Sequence, residues 1–486
     1  MSQLKYIDED ILRVYKFGEK REKENLLATL FWGDNVKVVE KVGKFWKLDF
    51  SQRKWNEAIQ RYEWIPVDAA IPEETRFRED PLLKIRFVDV GQGDAAIIES
   101  PKGKLIFLDG GEGNELYHYV SASWAHVLRN NSIDAEAVVV THGDADHFVG
   151  LTRLLGKTRG GNKPMLSVKR IYQSGLVKAP DKVDDKDIFG ATKTKDDKLY
   201  ITDLVEDPRT VPDDRLNEPF RDWKKTLNEL TAKNPSLEVH RLAYGDDDAF
   251  SFLEDEGVNI QVLGPIVTEI EGEPALRYFQ GSRGGLLPSQ TINGHSIILK
   301  LKYENVRVLF GADLNAESEA GLLELIEDTG ASVAAEILKV PHHGSADFDP
   351  KMFLAVSPAV SIISSGDENA RKEYIHPRAG LVGALGKYSN PAVEKPLIYV
   401  TEMVAFFERV GKATIQRLEA TKKEDKEPFE TPNAYIKKQY GIVHIRTDGK
   451  RVLVVTHSGT PENKESYAFN VGNDGSIEFE EKTRVL

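Results

Sequence analysis

The sequence predicts an α/β protein preceded by a small β-rich module. Short apolar, β-branched runs recur along most of the chain, among them Ala137-Val138-Val139-Val140, Val306–Phe310 and Val360–Ile363. Helix-like stretches follow several of them, at Leu151–Leu155 and Ala316–Asp328. The first 80 residues differ: strand-like pieces rich in aromatics are separated by turn residues, with little helical periodicity.

At 486 residues the chain is long enough for two or three domains and a large core. It has no charge-flanked apolar leader and no apolar run near membrane-spanning length, so neither a signal peptide nor a membrane association is expected. The absence of cysteine excludes disulfides and thiolate metal sites and fits a cytoplasmic location. A formal charge of −13 argues against a broad basic face for duplex DNA. It leaves a nucleic-acid substrate open, because bound metal ions place positive charge where a phosphate would sit.

Taken in order, residues 1–80 form the first unit. The charged segment Asp8–Asn25 is expected as a helix, followed by strands at Leu27–Trp32, Asn35–Val39 and Phe45–Phe50. With Trp55, Tyr62 and Trp64 these suggest a barrel-like module. Its aromatics either form its own core or bind a protein partner, peptide or nucleic acid. The second unit is expected over 82–460. Lys84–Val90 alternates as a strand, Gly91-Gln92-Gly93-Asp94 is a tight turn, and Ala95–Glu99 returns. Leu105–Leu108 is a third strand ending in Asp109, and Ser121–Asn130 reads as a helix. Residues 157–235 are expected as a charged insertion, with Lys178–Asp214 crowded by Lys and Asp. Asn259–Pro265 resumes the β pattern, and residues 461–486 are left as a tail.

Four potential ligands, His142, Asp144, Asp146 and His147, lie on one loop between a strand and a helix. Imidazole and carboxylate are the divalent-metal ligands open to a chain without cysteine. Crowding them within six residues is electrostatically costly without a cation. The plainer reading is a polar turn whose aspartates cap the next helix. Further on, Asn293-Gly294-His295-Ser296 is a polar loop feeding a strand, Asp313 follows the strand Val306–Phe310, and Ile337–Val340 runs into Pro341-His342-His343-Gly344-Ser345. Side chains alternate along an extended segment, so one of the two adjacent histidines is expected as a ligand, His343, with His342 supporting it or contacting substrate. Tyr374-Ile375-His376-Pro377 opens another helix. Leu397–Val400, Gly441–Ile445 and Val452–Val455 are expected to close a second sheet.

The stretch Thr141–Gly150 resembles the signature loop of the metallo-β-lactamase superfamily, His-x-His-x-Asp-His, with Asp144 in place of the second histidine. With Asp89-Val90-Gly91-Gln92-Gly93-Asp94 and Pro341-His342-His343-Gly344-Ser345, it is similar to the metallo-hydrolase domain of competence (DNA-uptake) proteins, over roughly residues 83–456. The resemblance implies a four-layer αββα sandwich. It implies two divalent ions, zinc or manganese, held by His142, Asp144, Asp146, His147, Asp313 and His343, with Asp313 bridging. Gly294-His295-Ser296 is similar to the superfamily's Gly-His-Thr and implies His295 as a further ligand. Asn293 matches instead the Asn-rich loop of the competence type. Asp109 and Asp89 would support the ligands from behind, and His376 would contact substrate or complete the second metal.

The activity implied is hydrolysis of a phosphodiester by a hydroxide shared between two metals, with Asp146 also holding the nucleophilic water and His342 and His376 at the substrate. The substrate would be a nucleic acid or a nucleotide. Alternatives are hydrolysis of a cyclic nucleotide or other small phosphoester, and a non-catalytic binding module stabilised by metal.

Overall fold

The computed structural model describes residues 2–57, 61–159, 163–180, 183–366, 376–393, 396–402, 406–412, 433–439, 441–457, 464–481 and 483–485. The chain is α/β. Its second unit is built on two large sheets. The eleven-stranded one runs, in spatial order, Glu238–Arg241, Leu166–Gln173, Ile133–Val140, Leu105–Leu108, Ala96–Glu99, Leu83–Val88, Ile442–Thr447, Arg451–His457, Lys464–Val471 and Ile477–Phe479, with Thr483–Val485 also paired to Lys464–Val471. The six-stranded one runs Val258–Gly264, Ile298–Tyr303, Val306–Phe310, Ile337–Lys339, Val360–Ile363 and Leu397–Val400.

Strand periodicity shows how these sheets pack. In Ile133–Val140, Ala137 and Val139 join a core shared with Val306, Val308 and Ile337 of the other sheet, whereas Val138 and Val140 face the opposite way. On that outer face they meet helices α1 (Glu115–Ser123), α2 (Ala145–Leu155) and α3 (Glu218–Lys233) through Val120, Leu151 and Trp223. The six-stranded sheet is covered likewise. Following the short helix α4 (Pro288–Gly294), helices α5 (Ala316–Thr329), α6 (Pro350–Val356) and α7 (Ala379–Tyr388) bury Leu322, Phe353 and Leu385 against it. Both sheets are therefore apolar on two faces, as continuous β-branched runs demand.

Strand direction decides where the loops gather. Leu105–Leu108, Ile133–Val140, Leu166–Gln173 and Glu238–Arg241 are mutually parallel. So are Val306–Phe310, Ile337–Lys339, Val360–Ile363 and Leu397–Val400. Loops after parallel strands collect at one edge of a sheet, where α/β proteins place their sites.

Residues 3–78 form a separate seven-stranded sheet around Ile7, Val14, Val38 and Ile71. Its hydrogen-bonded path ends at Leu26–Phe31 and Phe77–Arg78 instead of closing into a ring. Asp8–Asn25 is not a helix: Ile11–Lys16 is a strand, because Leu12 and Val14 alternate into the module's core with period two. Arg446 joins the two units. Its guanidinium is 3% exposed and donates to the carbonyls of Phe31 (3.2 Å) and Trp32 (2.7 Å) and to Asp34 Oδ1 (2.8 Å).

Other expectations are corrected. The stretch 157–235 is largely framework. Leu166–Gln173 is an inner strand, and α3 packs Phe220, Trp223, Leu227 and Leu230, spaced one helical turn apart, into the core. The first helix covers Glu115–Ser123, earlier than Ser121–Asn130, because Leu116 and Val120 supply its buried stripe. Ile442–Thr447 and Arg451–His457 extend the first sheet, since the former pairs with Leu83–Val88; only Leu397–Val400 joins the second. Lys464–Val471 and Ile477–Phe479 continue that sheet, so the C-terminal residues are not a tail. The boundary at 460, and Tyr374-Ile375 of the expected helix start, lie outside the described residues. Among the described residues no helix is long and apolar enough to cross a membrane.

Glu319 of α5 is fully buried. One carboxylate oxygen accepts the Asp349 amide, and Oε1 has no hydrogen-bond partner. Burial, aided by the charges of Asp349 and Asp347, pushes its carboxyl from the ordinary 4.5 up to about 8. Between these values the unfolded chain releases a proton that the folded chain keeps, so this residue makes stability fall as pH rises through the window. Glu319→Gln removes the penalty. Its urea-unfolding free energy relative to wild type should rise by up to about 5 kcal/mol across the window. Parallel pH profiles for the two proteins would contradict this.

Candidate metal centre

The site forms where the parallel strands of both sheets end. The strand Ile133–Val140 delivers Thr141, His142 and Asp144, and α2 then starts at Ala145, earlier than expected. Asp146 and His147 thus sit on its first turn, where an acidic side chain is favoured by the helix dipole. Val306–Phe310 delivers Asp313, and Ile337–Lys339 delivers His342 and His343. Two glycines allow the close approach. A Cβ on Gly150 would lie 1.9 Å from the Gly110 carbonyl oxygen, and one on Gly93 would lie 2.0 Å from that of Asp146.

Three imidazoles and the carboxylates converge in a buried space. His147 Nε2 is 3.4 Å from Asp313 Oδ1 and 3.3 Å from His343 Nε2. His343 Nε2 is 3.2 Å from Asp313 Oδ2 and 3.4 Å from Asp146 Oδ2. His142 Nε2 is 3.9 Å from Asp144 Oδ2 and 4.0 Å from Asp313 Oδ2. Ligands around one tetrahedral cation, each at its usual bond length, stand about 3.3–3.8 Å apart. Asp94, His147, Asp313 and His343, all buried, form a group that could hold a metal ion. The donors fit such an ion: buried His142 Nε2 and Asp313 Oδ1 have no hydrogen-bond partner.

Each inward nitrogen is set by what its ring does on the other side. His147 Nδ1 lies 2.8 Å from Asp109 Oδ2. Asp109 also accepts from Thr141 N (2.8 Å) and Thr141 Oγ1 (2.6 Å), which ties the loop to the strand behind it. His142 Nδ1 is 3.3 Å from Thr141 Oγ1. His343 Nδ1 is 3.1 Å from the Ser364 carbonyl and 3.2 Å from Asp94 Oδ1. Asp94 is in turn ion-paired with Lys339, whose Nζ also donates to the Ala312 carbonyl at 3.0 Å. Asp94 is therefore shared between Lys339 and His343, an arrangement that orients the imidazole.

The electrostatics are those of a cluster that could hold a cation. Burial favours neutral imidazole, yet Asp313 and Asp109 hold His147 well above its ordinary pKa, and Asp313 and Asp94 do the same for His343. Burial would raise Asp313, but those two histidines hold it well below the carboxylate range. His142, whose burial is joined by repulsion from His147, is driven well below. A metal ion can take the place of the protons this network otherwise keeps. The backbone is strained here as well. Asp109 (φ 53°), Ala312 (41°), His342 (47°) and His343 (51°) are left-handed, four of nine such non-glycine residues among those described, so strain concentrates where the ligands are aimed.

His295 is not brought to the site. Its Nε2 lies 2.7 Å from the Arg277 carbonyl and its ring packs on Phe279, with burial lowering its pKa to about 4. Asn293 is there instead, its amide nitrogen, suitably oriented, 2.8 Å from Asp144 Oδ2. Asp144 is further held by an ion pair to Lys178. His342 and His343 are not extended. A left-handed turn, not strand alternation, separates them, leaving His343 buried and His342 on the cavity wall 3.3 Å from the Asn293 amide. His376 also lines the cavity, its ring centroid 6.2 Å from that of His342. Asp89 has a turn-forming role: Oδ1 accepts from Gly91 N at 3.0 Å and Oδ2 from Gly441 N at 3.3 Å.

Sequence reasoning missed Asp94, Lys339 and Lys178. Lys339 carried a signal: a lone charge inside Ile337–Val340 must find a buried partner.

Asp109→Ala leaves the Thr141 amide and the His147 Nδ1–H without their acceptor. Metal affinity should fall about 10- to 100-fold, read by competition with a chromophoric chelator. An unchanged affinity would remove Asp109 from the support of His147.

No protein-family model and no curated protein sequence matches the chain, so its function is argued from this geometry.

Proposed function

We propose that this chain is a metal-dependent phosphodiesterase whose two-sheet unit is the αββα sandwich of the metallo-β-lactamase superfamily, of the competence type. The observation that carries the reading is the pair of buried, partnerless ligand atoms, His142 Nε2 and Asp313 Oδ1, inside the ring of donors. Two divalent ions, zinc or manganese, are proposed. Asp146, His147, His343 and one oxygen of Asp313 would hold one, and His142, Asp144 and the other oxygen of Asp313 the second. Divalent ions bound there would act as Lewis acids toward a phosphoryl group and make water acidic near neutral pH.

A cavity of about 510 Å³ adjoins the donors and is bounded by Asp146, His342 and His376 as well as by polar side chains. Room beside the ligands favours catalysis over a purely structural metal, which needs no open side. Asp146 is held below the ordinary carboxylate range, since His147 and His343 outweigh the effect of burial. It stays ionised and can accept a hydrogen bond from an attacking water at its carboxylate. His376 is kept neutral, its pKa lowered to about 4 by burial and then by its histidine neighbours. His342 and His376 stand on the cavity wall, where a ring N–H can donate to the leaving oxygen.

Bis-nitrophenyl phosphate with a panel of divalent ions tests the reading. Wild type should turn over only with metal, and Asp146→Asn or His343→Ala should lower kcat by about 100-fold or more in folded protein. No turnover with any ion, or wild-type rates in those variants, would overturn it. Because Asp144 offers hard oxygen where the usual loop has imidazole, Mn²⁺ should restore more activity than Zn²⁺. Full activity with zinc alone would contradict that argument.

A further inference from the structure

The chemistry of the cavity wall narrows the substrate. Of the fourteen described residues that line the cavity, five are carboxylates and none is Lys or Arg. Three of the five, Asp144, Asp146 and Asp313, belong to the donor set, so bound divalent ions would balance them. The other two, Glu112 and Asp347, lie outside it and have no cationic partner among the described residues. The ammonium groups of Lys178 and Lys339 are already committed, the first to Asp144 and the second to Asp94. The rest of the wall is amide and hydroxyl: Gln92, Ser289, Gln290 and Ser345.

Binding a polynucleotide requires neutralising several phosphates, with Lys and Arg tracking the backbone and aromatic faces for the bases. Among its described residues this wall offers no Lys or Arg. A strand threaded through it would bring phosphates flanking the scissile one beside Glu112 and Asp347, where like charges repel. A substrate charged only at the scissile phosphate escapes that repulsion. Its hydroxyl groups can donate to the same carboxylates and exchange hydrogen bonds with the amides and serines. The cavity volume suits a single small ligand.

Resting on the phosphodiesterase reading, we propose that the site takes a small, singly charged phosphodiester of about one nucleotide in size with a hydroxylated sugar, and that Glu112 and Asp347 exclude polynucleotide strands.

The test compares kcat/KM of the metal-loaded protein on a 2′,3′-cyclic mononucleotide and on a short single-stranded RNA. It also measures binding of fluorescein-labelled RNA to metal-free protein by anisotropy. Wild type should prefer the cyclic nucleotide, and RNA cleavage should increase with salt as the repulsion is screened. In Glu112→Gln/Asp347→Asn, the ratio of RNA to cyclic-nucleotide kcat/KM should rise about tenfold or more, and labelled RNA should bind more tightly. A wild type that cleaves RNA at least as well as the cyclic nucleotide, or a double variant with unchanged ratio and unchanged RNA binding, overturns the proposal while leaving the phosphodiesterase reading intact. Failure on every phosphodiester, including bis-nitrophenyl phosphate, overturns the reading on which it rests, and the proposal with it.

Discussion

Nearly everything in the second unit serves one electrostatic demand. Carboxylates and imidazoles are held within 3.2–4.0 Å of one another in a largely buried place. Left alone, such a cluster is expensive, because buried charge is costly unless it is paired or bound to metal. The two sheets meet the demand by direction. Each contributes a set of parallel strands, and the loops after those strands carry the donors. An antiparallel arrangement would send alternate loops to the opposite end of the sheet. The apolar packing between and outside the sheets supplies the rigidity against which the strained residues Asp109, Ala312, His342 and His343 are held.

Behind the donors lies a second layer of constraint, which decides where each imidazole points. Asp109 reaches both the backbone and the hydroxyl of Thr141 and also His147, so one carboxylate ties strand, loop and helix start together. The Lys339–Asp94–His343 chain does the same from the other sheet. It also joins the two sheets, because Asp94 follows the turn after Leu83–Val88 whereas Lys339 and His343 belong to the six-stranded side. The Ser364 hydroxyl, donating to the Gly93 carbonyl at 2.9 Å, reinforces that crossing. The centre is thus stitched from both halves, and neither half alone contains it.

The N-terminal module is attached by a different kind of contact. Arg446, buried and shared among two carbonyls and Asp34, is locked in place by partners from the module, while Trp32, Leu82, Leu453 and Ala468 form an apolar patch beside it. Arg451 adds a bridge to Asp10 at 2.8 Å. A guanidinium buried in this way is costly to strip of its partners, so the attachment is built in and not a loose tether.

By itself the sequence determined the residue types at the centre and the local frames that present them. A β-branched run and an amphipathic helix are written in consecutive residues, and so Ala137–Val140, Leu151–Leu155, Val306–Phe310, Ala316–Asp328 and Ile337–Val340 were legible one segment at a time. The same local logic failed where context ruled. Asp8–Asn25 looked charged enough for a helix, but a single alternating pair, Leu12 and Val14, made Ile11–Lys16 within it a strand. The 157–235 stretch hid an inner strand and a packed helix behind its lysines and aspartates. Tertiary structure alone decided which donors meet. His295 follows a motif that suggests a ligand, yet α4 turns it to the Arg277 carbonyl and presents Asn293 instead. Asp94 and Lys339 stand 245 residues apart and acquire their role only when the two sheets face each other. The physical reason is range: backbone preference and hydrophobic period act over a few residues, whereas the charge balance of a buried centre is set by strand ends that come together only in the folded chain.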